Sequence, residues 1–155
     1  MTQNSINSKQ PFVQYVKTQT TSTVTLAATI PKDNTIPQKT EGTEVMTCSI
    51  TPTSATNLLV IRVTLNFYTP SDTDVQFALF QDDTSNALAA FECQYLYAAN
   101  WAGAQEFLFE MVAGTTSSTT FKVRCGRSSA TNTLVNRAQF GGVQTNYMEI
   151  KEIKA

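Results

Sequence analysis

The chain has 155 residues, a formal net charge of −1, only 15% charged residues and no histidine. One core burying roughly 70% of the unfolded surface is within reach at this length, and the near-neutral balance excludes a global field for nucleic acid or an anionic membrane. Missing histidine removes the usual base of nucleophilic triads, the commonest metal ligand and the physiological proton switch together, so no enzyme activity, metal or cofactor is expected.

The polar residues 1–11 are expected to form a flexible N-terminal arm, followed by a single domain over 12–155. The start, Met1-Thr2-Gln3-Asn4-Ser5, lacks the basic and apolar regions of a signal peptide, and no N-x-[ST] sequon occurs. Classical secretion is therefore not expected. No apolar run approaches the roughly 18 residues of a membrane span, so membrane insertion is not expected either.

Val24, Leu26 and Ala28 alternate with Thr23, Thr25 and Ala27, the period-two pattern of a half-buried strand. The stretch Pro31 to Pro37 reads as a connection, because its two prolines interrupt a ladder. Thr43 to Ile50 is a predicted strand. The clearest alternation runs from Leu58 to Phe67, with Leu59, Ile61, Val63, Leu65 and Phe67 on one face and Arg62, Thr64 and Asn66 on the other, as a central strand requires.

Val75 to Phe80 is the next strand, and the turn signal Asp82-Asp83-Thr84-Ser85-Asn86 leads into a hairpin partner over Ala87–Gln94. That partner contains good helix formers, but it is short and its neighbours are strand-rich. Phe107, Phe109 and Met111 alternate with Glu106, Leu108 and Glu110, Thr119 to Cys125 follows, and Tyr147 to Ile153 closes the domain. In between, a polar loop runs from Gly126 past Leu134-Val135 to Gly141-Gly142, where the glycines suit a tight bend. The reading is all-β, an antiparallel β-sandwich of about 8–10 strands with the jelly roll as its favoured form. Leu59, Ile61, Val63, Leu65, Phe77, Leu79, Phe107, Phe109, Phe121, Val123 and Ile150 are its expected core.

Cys48, Cys93 and Cys125 show no C-x-x-C spacing and fall within predicted strands, so they read as buried free thiols. The acid pairs Asp72/Asp74 and Asp82/Asp83 sit in turn-like sequence, where Asp serves as a backbone acceptor rather than a ligand. Lys122, Arg124, Arg127 and Arg137 would make a local basic face only if they shared one side, and contact with nucleic acid is not expected. Tyr95, Tyr97 and Trp101 form a candidate ligand-contact loop for a glycan or protein, with capping of the sandwich end as the alternative.

Several segments carry a family resemblance: Gly42-Thr43-Glu44, Leu58-Leu59-Val60-Ile61, Ala78 through Ala90, Ala113-Gly114-Thr115 leading to Phe121-Lys122-Val123-Arg124, and Met148 through Ile153. On these the region from Gly42 to Ala155 resembles the jelly-roll head domains of the tumour-necrosis-factor (TNF) and C1q type. It resembles most the versions found in viral and phage structural or tail-fibre proteins. The resemblance implies a homotrimer with a role in virion architecture or receptor binding (attachment), made in the host cytoplasm and residing in the virion. A host-surface protein or glycan, or another virion protein, is the implied partner. The alternative is a cytokine-like or intracellular protein-binding module on the same fold. For the trimer interface, the aromatic residues Phe107, Phe121 and Tyr147 are the candidates to meet near the threefold axis.

Overall fold

The computed structural model describes residues 11–70, 74–93, 100–127 and 132–155. Among them the strands are β1 Phe12–Thr20, β2 Val24–Thr25, β3 Thr43–Ile50, β4 Leu58–Thr69 and β5 Val75–Gln81, then β6 Ala89–Cys93, β7 Trp101–Val112, β8 Thr119–Arg127, β9 Leu134–Val135 and β10 Asn146–Ile153. Helix is confined there to one 3-10 turn, Phe140–Gly142, where Gly141 and Gly142 take φ of 67° and 86°, a region costly for a residue with a Cβ.

The pairing is nested. β1 pairs with β10, β3 with β8, β4 with β7 and β5 with β6, all antiparallel, like one long hairpin folded at the β5–β6 turn. Rolling that hairpin adds the pairs β10–β4 and β8–β5 and splits the strands into two sheets. The first carries β1-β10-β4-β7, with short β9 and β2 continuing beyond β10 along the same edge of β4. The second is β3-β8-β5-β6. A six-stranded and a four-stranded antiparallel sheet in this order make a jelly-roll β-sandwich.

Alternation places the core between the sheets. On β4, Leu59, Ile61, Val63 and Leu65 are fully buried, and they face Phe77, Leu79, Phe121 and Val123 of the second sheet. A register shift between Glu44 and Met46 interrupts the alternation of β3, so Val45 and Met46 are both buried. Cys48, Cys93 and Cys125 are free; Cys48 and Cys125 are buried and Cys93 is half-buried. Burial pushes the Cys93 and Cys125 thiols up. A thiol reagent should therefore titrate at most one of the three cysteines quickly in the native protein, and all three after denaturation without reductant. Rapid modification of all three in the native state would mean that the core is loose.

β5 departs from simple alternation, since Val75 through Phe80 are all buried. Its outward residues Gln76, Ala78 and Phe80 are covered by the connection that follows β2. Ile30 packs with Ala78 and Phe80 in a small second cluster, and the chain continues over β5 and β6 as a strap. Gly126 of β8 permits this approach. A Cβ there would lie 2.3 Å from the Ile30 backbone nitrogen and 2.5 Å from its Cγ1. Gly126→Ala should thus cost about 1–3 kcal/mol in urea melts through overpacking against backbone. An unchanged midpoint would mean that the strap sits further from the sheet.

Candidate functional site

The broadest surface with partner-binding character is the outer face of β1-β10-β4-β7. Register puts Leu58, Val60, Arg62 and Thr64 of β4 beside Val112, Glu110, Leu108 and Glu106 of β7. On the other flank they meet Ile153, Lys151, Glu149 and Tyr147 of β10. Lys151, Glu149 and Tyr147 are followed in turn by Tyr15, Lys17 and Gln19 of β1. Leu108 and Val112 are 54% and 58% exposed, and Leu58, Val60 and Ile153 are half-buried around the Val112 end.

Beside these apolar residues lies a paired charge network. The Arg62 guanidinium reaches Glu106 at 2.6 Å and Glu149 at 3.7 Å, and Lys151 reaches Glu149 at 3.6 Å. The Tyr15 hydroxyl donates to Glu149 at 3.1 Å, and the Lys17 ammonium lies 4.8 Å from the centre of the Tyr147 ring. Three cations (Lys17, Arg62, Lys151) balance three anions (Glu106, Glu110, Glu149) here. Such a face offers contact area and little long-range steering.

The side between β6 and β7 is a second partly apolar surface. Each strand ends its own sheet, and Leu88, Phe91, Phe109 and Met111 pack against the core while remaining half-buried. Phe91 stacks on Phe107 with centroids 4.3 Å apart.

These positions correct the expected axis residues. Phe107 is 4% and Phe121 0% exposed, both within the sandwich, so neither side chain has surface to offer a partner. Tyr147 does lie on the outer face. Trp101 begins β7 and leans on Phe67, with centroids 5.2 Å apart, over the space that a Cβ on Gly103 would take. It therefore caps the sandwich end from a strand rather than projecting from a loop. Tyr95 and Tyr97 lie outside the described residues, as does Asp72.

Of the basic residues, only Lys122 and Arg124 share a face, as alternate outward residues of β8, and both are engaged within the protomer. Lys122 pairs with Asp83, and Arg124 donates to the carbonyls of Glu41 and Gly42 at 2.7 Å each. Arg127 is buried, and Arg137 stacks 4.1 Å from the Tyr68 ring centre on the other sheet. The remaining acids serve structure: Asp74 binds Lys32 at 2.9 Å, and Asp82 accepts from the Thr120 amide at 2.8 Å.

Two features were not singled out from sequence. The first is Glu152, which alternation from Ile150 turns inward at the end of β10, fully buried. Its carboxylate accepts from the Thr53 amide and hydroxyl (2.8 Å each), Asn57 Nδ2 (2.6 Å) and Gln14 Nε2 (2.5 Å). An acidic residue at an inward position is the sequence signal for such a knot. The second is a pocket of about 180 Å³ between the strap and the outer face of β5 and β6, lined by Ile30, Pro31, Lys32, Asp33, Thr35, Pro37, Gln76, Ala90, Phe91 and Glu92.

No family model matches the chain, and no curated protein matches it. Among solved structures, the chain is similar to one in the structure of infectious bursal disease virus Gx strain, with 10% identity and a TM-score of 0.40. The match covers 92% of this chain and spans 38% of that one.

Proposed function

We propose that this protein is a non-catalytic homotrimeric jelly-roll protein of a virion, with a structural or receptor-binding role. The observation that carries the assembly reading is the pair of unlike surfaces on one protomer: the neutral, partly apolar outer face of β1-β10-β4-β7 and the apolar side between β6 and β7. A cyclic trimer needs a heterologous contact, in which one patch of each copy meets a different patch of the next. Seating the β6–β7 side of one protomer on the outer sheet face of its neighbour would bury Leu108 and Val112 against Phe109 and Met111, with the Arg62 network at the rim. The viral part of the proposal rests on the resemblance carried by residues 42–155, and a virion component needs no catalytic group.

Size exclusion coupled to light scattering should give three times the single-chain mass of 17.0 kDa. A monomer at micromolar concentration would remove the trimer. Mass spectrometry of purified particles, set against infected-cell lysate, tests the location separately. Recovery in the particles supports a virion component, whereas recovery only in lysate favours a binding module on the same fold.

A further inference from the structure

We propose that the pocket under the strap binds a small neutral ligand that presents a cis amide edge, a lactam ring or a primary carboxamide, with Gln76 as the recognising residue. Gln76 is 7% exposed, and neither its Oε1 nor its Nε2 has a hydrogen-bond partner among the described protein atoms. Burying a carboxamide without partners is costly, because its bonds to water are lost and not replaced. Its position accounts for the lack. On the outer face of β5, Gln76 stands between Gly126 of β8 and Glu92 of β6, so one neighbour has no side chain. The side chain of the other is engaged elsewhere, since Lys32 holds Glu92 at 2.6 Å and Asp74 at 2.9 Å. The pocket is what remains for the amide to address.

The walls define the rest of the ligand. Ile30 and Pro37 of the strap are apolar, and Ala90 on β6 is too small to fill the space. At about 180 Å³ the pocket is below the roughly 300–1,000 Å³ typical for drug-sized ligands, which limits the occupant to a single ring or a short side chain. A carboxamide offers a donor and an acceptor side by side, and its complement is a group carrying an acceptor and a donor in cis. An anion is disfavoured because Lys32 is already shared by two carboxylates. Every residue that lines this site belongs to one protomer, so the site does not depend on the trimer.

The test uses the full chain labelled with nitrogen-15 and titrated with nicotinamide, a neutral ring bearing a primary carboxamide. The expected result is a saturable shift of the Gln76 side-chain amide and the Ala90 backbone amide, with a Kd on the order of millimolar for so small a ligand. Nicotinic acid, which is anionic, and N,N-dimethylnicotinamide, which has no amide proton, should bind about tenfold more weakly or worse. So should nicotinamide to Gln76→Met, which keeps the side-chain length but not the amide. Ala90→Leu, which fills the pocket from β6, should abolish binding and serves if the Met variant does not fold. Absence of a saturable shift at Gln76 with both nicotinamide and δ-valerolactam overturns the proposal. Equal binding of the three nicotinyl probes, or undiminished binding to either folded variant, overturns it as well.

Discussion

Glu152→Gln should lower stability by about 3 kcal/mol at neutral pH, and the loss should shrink as the solution is acidified. Burial by itself pushes the Glu152 carboxyl up, but hydrogen bonds from Asn57, Gln14 and Thr53 outweigh it and lower the pKa from 4.5 to about 2. The folded state therefore favours the ionised form more than the unfolded chain does. That stabilisation is complete above the unfolded value of 4.5 and is lost as pH falls through the folded value of about 2. A glutamine in the same place turns an NH2 group toward some of the donors that the carboxylate satisfies. Gln14 belongs to β1 and Thr53 and Asn57 to the β3–β4 loop, so the variant loosens three parts of the fold that meet at the end of β10. Urea melts of both proteins between pH 7 and pH 2 decide the matter. A difference that stays constant across that range would mean that the charge is not what holds the knot.

Leu108→Asp should convert the trimer to monomers while leaving the protomer folded. Leu108 is 54% exposed on β7, opposite Arg62, so in a single chain the substitution should change stability by no more than about 0.5 kcal/mol. Between copies, each aspartate would be buried without a dedicated partner in an interface that already balances three cations against three anions. An uncompensated charge removed from water costs several kcal/mol, repeated at each of the three contacts of a ring. Light scattering should then report the single-chain mass with an unchanged melting temperature for the protomer. A trimer that survives Leu108→Asp would exclude the outer sheet face. A charge at Phe121 could not separate the two effects, because that side chain is 0% exposed and its substitution would unfold the protomer first.

Much of this protein was legible because strand alternation is a local property. The inward set Leu59, Ile61, Val63 and Leu65 follows from the pattern of β4 alone, and the bounds of β3 match the predicted run from Thr43 to Ile50. Ala89–Cys93 forms a strand despite its helix formers, because β5 supplies a ladder that isolated propensity does not register. β1 was not read as a strand, since its inward positions Thr18 and Thr20 are polar and its outward ones are mixed. The strand expected from the alternation of Val24, Leu26 and Ala28 is cut to the two residues of β2, and β9, also two residues, is too short for any period to show.

The sequence by itself determined the all-β class, the sandwich core, the turns and the absence of histidine, because each depends on one residue or on neighbours two apart. Tertiary structure decided the rest through partners distant in the chain. The nested pairing of β1 with β10 and β3 with β8 depends on contacts about a hundred residues apart that no local pattern encodes. The strap made both faces of β5 interior, and it reaches them only because Gly126 leaves room for Ile30. Phe107 and Phe121 were expected to serve both the core and the axis, yet a side chain in a two-layer sandwich faces one way. Packing of the two sheets enclosed Phe107 of the first and Phe121 of the second, and left the outer face of the first to the smaller aliphatic residues Leu58, Val60, Leu108 and Val112.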